Sequence, residues 1–377
     1  MRTKGFALIP FLLILTLLAI LGFGFLKKDS FLLQQKRTWH LNLGDKSMTP
    51  SASLRLKDNQ IYVSSYYSPL LLEIDSSSGQ VKREFRVEEH SISSDLSDNI
   101  FYYNIVNKKN NSIHALDVSS GVEKWAKTIE SPEEKYAPTS IKATRDRVYL
   151  NEGFGKISAF NPENGGKLWT FETKLPTDTL IDDVPIVRVG EKVVIVGFDG
   201  GMVYALNPVT GTELWKFNTS SVVRPEEILV SGEIVYVAAY RTAGDAIYSL
   251  ETKTGAARWQ VTAEGNPNTS MSSDGEIFYI AKAYGYLQAI SNKDGKELWR
   301  IKTEHFPTNL AISNGVLYFA RNQYDEILGD KSYLHAVDSK TGGEIWELKL
   351  KDLISGLDST NGIVYFLKRD GELTALK

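Results

Sequence analysis

The chain has 377 residues, 42% of them hydrophobic, and its 43 Lys and Arg nearly balance its 46 Asp and Glu. With a formal net charge of −3 and no basic stripe, it lacks the electrostatic footprint of a nucleic-acid binder, and no nucleic-acid partner is expected. It contains no cysteine, which excludes a disulfide framework, thiolate metal sites and a lipid-modified cysteine.

Residues 1–4 form a short basic N-terminus with Arg2 and Lys4. Residues 5–26 (GFALIPFLLILTLLAILGFGFL) are uncharged, and as a helix rising ~1.5 Å per residue they reach about 33 Å, enough to cross a bilayer core. The run exceeds the ~7–15 residues of a secretory signal core and no Ala-x-Ala site follows it, so a retained transmembrane anchor is expected rather than a cleaved signal. Lys27, Lys28, Lys36 and Arg37 outnumber Arg2 and Lys4, a bias that alone would keep the rest of the chain in the cytoplasm. Long domains translocate largely regardless of such counts, and the expected placement is single-pass with the bulk of the chain outside the cytoplasm. Residues 27–36 read as a linker.

From residue 37 to 377 one pattern recurs, Ala-x-[Asp/Asn]-x-x-x-Gly-x-x-x-Trp, and it ends on six of the seven tryptophans. An alternating strand around Trp39 (37–43) comes first, followed by a divergent copy from Glu73 to Arg83 (EIDSSSGQVKR). Regular copies run Ala115 to Trp125, Ala159 to Trp169, Ala205 to Trp215, Ser249 to Trp259, Ala289 to Trp299 and Ala336 to Trp346. The turn glycines Gly79, Gly121, Gly165, Gly211, Gly255, Gly295 and Gly342 are spaced by roughly four dozen residues or fewer, the range of a four-stranded propeller blade.

Within a copy, alternating segments such as Met202–Leu206 and Glu213–Phe217 flank a turn rich in Asn, Pro, Thr and Gly, which makes a hairpin. The glycine supplies the positive φ that finishes such a turn. A second strand pair precedes each hairpin, clearest in Ile186–Gly197 and Leu310–Ala320. The third-strand segments start at Leu70–Asp75 and finish at Glu372–Lys377, beyond which no outer strand follows, so the Trp39 strand is expected to pair there and close the ring. The predicted fold is all-β: an eight-bladed β-propeller of four-stranded antiparallel blades, with an N-terminal transmembrane helix. The indoles are expected to fill the wedges between blades beside the small residue of their own repeat, each worth ~3–5 kcal/mol against alanine. Arg83 replaces Trp in the first complete blade, whose junction is therefore expected to be the weakest.

The motif resembles the tryptophan-docking repeat of pyrroloquinoline-quinone-type (PQQ-like) propellers across residues 37–377. Two branches share it: the quinoprotein alcohol dehydrogenases and the BamB-type barrel-assembly lipoproteins, which are non-enzymatic scaffolds. Length and a single ring with little decoration fit the BamB-like branch, although this chain lacks that branch's lipobox cysteine. A dehydrogenase would hold quinone and calcium in the channel, typically beneath a disulfide of adjacent cysteines, which this sequence cannot form. Neither PQQ nor calcium is expected, and no catalytic, cofactor-binding or metal residue is assigned.

Asp182, Asp183, Glu226 and Glu227 read as solvated loop carboxylates, and the assignable innermost strands (47–54, 91–97, 268–273) supply mainly Ser, Thr and Met. His114 and His335 share one repeat position with Tyr204, Tyr248 and Gln288, which marks a tolerant strand site rather than a metal ligand. What remains is the loop face, with long loops at 130–136, 174–183, 240–245 and 322–331 and a rim of Tyr66, Tyr67, Tyr136, Tyr240, Tyr284 and Tyr324. Tyr136, Tyr240 and Tyr324 are the candidate interaction residues. The expected function is a scaffold or sensor that binds protein partners through this face. The alternatives are a quinone-dependent enzyme and a glycan- or cell-wall-binding propeller, since aromatic faces also stack on sugars.

Overall fold

The computed structural model describes residues 36–44, 52–65, 68–86, 91–105, 111–129, 140–153, 155–173, 186–189, 193–197, 201–219, 228–239, 245–263, 270–282, 285–305, 307–325 and 329–377. The proposed membrane segment, residues 5–26, lies outside them. No helix among the described residues is long and apolar enough to cross a membrane.

The strands form eight four-stranded antiparallel sheets. Blades 1 to 7 start at Ala52, Ser91, Ile141, Ile186, Ile228, Met271 and Pro307, and in each the strands run outward from the innermost in chain order. Blade 8 takes three strands from Ile354–Leu376 and its outer strand, β1, from Arg37–Asn42. Trp39 stands opposite Ala375 and Leu41 opposite Leu373. The backbone seals both ends of this pairing, with Lys377 N donating to Lys36 O at 2.9 Å and Leu43 N to Gly371 O at 3.0 Å.

Antiparallel order puts the turns between third and outer strands on one face of the ring, here the turn face. The loops between second and third strands, and the connections between blades, lie on the opposite loop face. Lys36 sits beside Lys377, past the end of a third strand, so the chain joins the propeller at the turn face.

Each turn is held by its first side chain. Asn207 Oδ1 accepts from the amides of Val209 at 2.8 Å and Thr210 at 3.1 Å, and Gly211 N donates back to Asn207 O at 2.8 Å. A register shift just after Ala205 lets the outer strand bring Trp215 opposite that alanine. A tyrosine of the second strand completes the row in most blades: Tyr149–Ala159–Trp169 in blade 3 and Tyr236–Ser249–Trp259 in blade 5. The small central residue lets the rings meet, with centroids 5.8 Å apart for Tyr149 and Trp169 and 6.1 Å for Tyr236 and Trp259.

The indole also serves the next blade. Trp39 Nε1 donates to Ser76 O at 2.8 Å, Trp125 to Pro162 O at 2.8 Å, Trp169 to Pro208 O at 3.0 Å and Trp215 to Thr252 O at 2.8 Å. Trp259 reaches Asn292 O at 3.1 Å and Trp299 reaches Ser339 O at 3.0 Å. Every acceptor lies one residue past the Asp, Asn, Glu or Ser that starts the neighbouring turn. The ring face then lies on that turn's glycine: a Cβ on Gly211, where φ is +72°, would come within 2.5 Å of Trp169. The turn glycine is thus required both by backbone geometry and by the absence of space for a side chain.

Two junctions differ. Between blades 1 and 2, Arg83 Nη1 donates to Val118 O, the equivalent carbonyl, while its Nε lies 3.2 Å from Glu73 Oε2 and Phe85 covers Gly121. The expected weak junction therefore keeps its hydrogen bond and loses only the indole's apolar area. Between blades 7 and 8 the acceptor turn does not exist, because the outer strand of blade 8 is β1. The Trp346 ring lies instead under Lys36 Nζ, 5.5 Å from its centroid.

Two stability predictions follow from this docking scheme. Gly211→Ala combines left-handed strain with an indole clash and costs ~2–4 kcal/mol, whereas Gly232→Ala, with φ +56° and nothing within 4 Å, costs only the ~1–2 kcal/mol of backbone strain. Equal losses in urea titrations would show that the indole contact is dispensable. In blade 1, Arg83→Trp alone strands the Glu73 carboxylate, which is 5% exposed, and lowers stability by ~1–3 kcal/mol. The double change Glu73→Ala with Arg83→Trp restores the regular row and is at least as stable as the parent in thermal melts.

Candidate functional sites on the loop face, in the channel and at the rim

Of the three candidate interaction residues, Tyr136 and Tyr240 lie outside the described residues, as do Tyr66, Tyr67, Tyr284, Asp182, Asp183, Glu226, Glu227 and His90. Tyr324 is described and is 71% exposed just past the second strand of blade 7. The Arg369 guanidinium of blade 8 lies 5.6 Å from its ring centroid and is held by Asp330 Oδ2 at 3.1 Å from Nη1. Asp330 Oδ1 in turn accepts from Asp325 N at 3.0 Å. Tyr324 and Arg369 therefore form a small, braced aromatic–cationic patch across two blades on the loop face.

The channel wall departs from the expected small neutral lining. One position on the innermost strand stands opposite the second-strand residue of the Tyr–Ala–Trp row. Around the ring from blade 8 it is filled by Asp358, Arg55, Asp95, Lys142 and Arg188, and then by Leu229, Ser272 and Ala311. Five successive blades thus carry charge and three do not.

Arg55 pairs with Asp95 and donates to Ser94 O at 3.1 Å. Asp95 also accepts from the amides of Leu96 and Ala143, each at 3.0 Å, and lies 3.8 Å from Lys142 Nζ. Arg188 Nε donates to Ile228 O at 2.9 Å, and Asp358 Oδ2 accepts from Leu56 N at 3.3 Å. These charges bridge consecutive blades. Burial holds the Asp358 carboxyl above its ordinary range. Burial first, and then the charges of Arg55 and Arg188, push the Lys142 ammonium down to about 7.

The two equivalent histidines prove unlike. His114 is satisfied on both ring nitrogens: Nδ1 lies 2.8 Å from Glu123 Oε2, Nε2 lies 2.8 Å from Ser112 Oγ, and the ring stacks on Tyr103. His335 stacks on Phe319 with centroids 4.5 Å apart, and its Nδ1 lies 3.4 Å from Glu347 Oε2 and 3.8 Å from Glu344 Oε2. Its Nε2 is buried without a partner. Tyr333 occupies the place of Ser112, and Glu347 that of Ala126. Burial, followed by the Arg321 charge, pushes the imidazole down to about 3. A cavity of about 340 Å³ adjoins it between blades 6 and 7, lined also by Thr303, Glu304 and Arg321.

For the channel, a folded pKa below the unfolded value means that the unfolded chain holds more protons between about pH 7 and about pH 10. Lys142 therefore makes stability rise with pH across that window. Lys142→Met should flatten this rise when denaturation is compared at pH 6 and pH 9, and an unchanged slope would remove Lys142 as its source.

Residues 32–202 and 153–326 match the family described as outer membrane protein assembly factor BamB. Sequence comparison with curated proteins gives no match. Among solved structures, BamB from Moraxella catarrhalis superposes with a TM-score of 0.68 at 15% identity, over 90% of this chain and 99% of that one. The computationally designed Ika8 protein gives 0.70 at 17% identity, over 90% and 99%. A quinohemoprotein alcohol dehydrogenase, ADHIIG from Pseudomonas putida HK5, gives 0.62 at 11% identity, over 90% of this chain and 76% of that one. At such identities these likenesses establish the fold alone. The family match covers most of the ring, from the closing strand into blade 7, and with it the chain belongs to the BamB family of PQQ-like propellers.

Proposed function

We propose that the chain is a single-pass, membrane-anchored propeller that acts outside the cytoplasm as a non-enzymatic scaffold or sensor for protein partners bound at its loop face. The observation that carries this reading is the disposition of the two faces. The chain joins the ring at Lys36 on the turn face, while Tyr324 and Arg369 stand on the other. A tether from residues 5–26 through the linker then leaves the loop face directed away from the bilayer. Tyr and Arg are the residue types that most often anchor interfaces. The family description, an assembly factor for outer membrane proteins, supports protein partners over small molecules.

A second reading rests on the channel, where Arg55, Lys142 and Arg188 would suit the carboxylates of a quinone. Calcium fits the same wall poorly. The ion takes six to eight oxygen ligands, whereas Asp95 is engaged by Arg55 and two backbone amides and three cations line the wall. This favours the scaffold.

Photoreactive groups at Tyr136, Tyr240 and Tyr324 of the full-length protein in its native membrane test the proposal, with Val209 on the turn face as control. The same membrane protein or secretion component should be captured from the loop-face positions and not from Val209. Equal capture from both faces would sink the loop-face assignment. Calcium-dependent quinone binding by the purified protein, without any captured partner, would favour the enzyme.

A further inference from the structure

The repeat carries its own control for an unexplained site. The residue before the small member of each row is Leu72, His114, Ser158, Tyr204, Tyr248, Gln288, His335 and Thr374 in blades 1 to 8. Where it is polar, a neighbour generally satisfies it: His114 holds Glu123 and Ser112, Ser158 meets Thr170 at 2.8 Å, Gln288 donates to Glu297, and Thr374 donates to Glu372 at 3.3 Å. Gln288 leaves its Oε1 buried without a partner, and His335 departs further from the pattern. It is 8% exposed, one ring nitrogen lacks any partner, and the other faces two carboxylates at spacings longer than a good hydrogen bond.

Those spacings suit a shared ion. Ligand bonds of ~2.0–2.1 Å in a tetrahedral site place neighbouring donor atoms about 3.4 Å apart. His335 Nδ1 lies 3.4 Å from Glu347 Oε2 and 3.8 Å from Glu344 Oε2, and donor atoms of all three residues fall within 4.8 Å of one another. The adjoining cavity of about 340 Å³ has room for a water or exogenous ligand at a fourth position. Arg321 and Glu304 complete the surroundings: Arg321 stacks on Tyr333 with 4.3 Å to the centroid, its Nη2 lies 3.5 Å from Glu347 and its Nη1 3.6 Å from Glu304. Glu347 Oε2 faces both His335 and Arg321, and a carboxylate oxygen has more than one lone pair, so Glu347 can keep Arg321 as an outer partner while it ligates. Local charge favours a cation, since Glu304, Glu344 and Glu347 outnumber Arg321 and Lys302 around the cavity.

We propose that His335, Glu344 and Glu347 form a binding site for a first-row divalent cation, with zinc the best fit, in the pocket between blades 6 and 7. One imidazole with two carboxylates and no sulfur selects zinc or its neighbours in that row over calcium and magnesium, which prefer all-oxygen shells. The ligands come from two strands of one blade, so the ion pins the outer strand of blade 7 beside the Trp346 junction that lacks its turn.

The test is calorimetric titration of chelator-stripped full-length protein with zinc chloride, alongside cobalt(II) absorption. One ion should bind, and calcium should not displace it. His335→Ala should weaken binding by about 100-fold or more and Glu347→Gln by about 10-fold or more, while His114→Ala leaves it unchanged. If His335→Ala fails to fold, Glu344→Gln serves in its place: that side chain is 62% exposed, and its loss should weaken binding and shift the cobalt spectrum without disturbing the core. Absence of zinc and cobalt binding, or binding that survives both glutamate changes, would overturn the proposal, as would an equal loss in His114→Ala.

Discussion

One contact is made again and again around the ring: the indole of one blade lies on the turn glycine of the next and donates its N–H to the carbonyl three residues earlier. The turn can be that tight only with glycine, and only glycine leaves the surface on which an indole can lie flat. Hydrogen bond, ring contact and backbone conformation therefore specify one another, so a change to one partner is felt by the other. Because each repeat docks only on its neighbours, the ring's strength is close to a sum of such junctions plus whatever closes it. The closing element is β1, whose Trp39 docks blade 8 onto blade 1 in the regular way.

The two irregular junctions flank this closing pair. Arg83 marks one side and Trp346 the other, so blades 2 to 7 form one fully docked arc while blades 8 and 1 form a second, shorter one. Arg83 shows which part of the contact is indispensable. Its guanidinium keeps the bond to the neighbouring carbonyl and Phe85 takes over the glycine, whereas the apolar bulk of an indole is given up. At Trp346 neither partner exists, and a lysine from the segment leading into β1 covers the ring. The seam thus gains a contact from the segment that leads into the closing strand.

The period, the blade count and the closing strand were legible because the docking contact fixes residue types at fixed spacing, and Trp and Gly are conspicuous. The direction of docking was not. A tryptophan and an alanine ten residues apart look like a local pair, and nothing in one repeat reveals that the indole's hydrogen-bond partner is in the next. The channel charges were hidden for a different reason: Arg55, Asp95, Lys142, Arg188 and Asp358 each look like an ordinary polar residue in a short strand. They share a position only when the strands are registered on the turn that follows them, as at Asp58-Asn59 and Asp98-Asn99, and that turn carries no tryptophan to flag it. His114 and His335 were correctly placed at one repeat position. Their difference lies in Ser112 against Tyr333 and Ala126 against Glu347, neighbours that matter only once cross-strand register is known.

The channel ring also shows how charge can serve the joining of blades. From blade 8 to blade 3 the signs alternate, Asp358, Arg55, Asp95 and Lys142: Asp95 meets Arg55 and Lys142 across its two blade boundaries, and the Arg55 charge acts on Asp358 across a third. Such pairs offset part of their desolvation only while the blades stay in register, which makes them a register device at the ring's inner edge as the indoles are at its outer edge. The alternation fails between Lys142 and Arg188, and burial first, then the charges of Arg55 and Arg188, pushes the Lys142 ammonium toward neutrality. Blades 5 to 7 avoid the problem with Leu229, Ser272 and Ala311. The ring is thus held at both edges, by indoles outside and by charges inside.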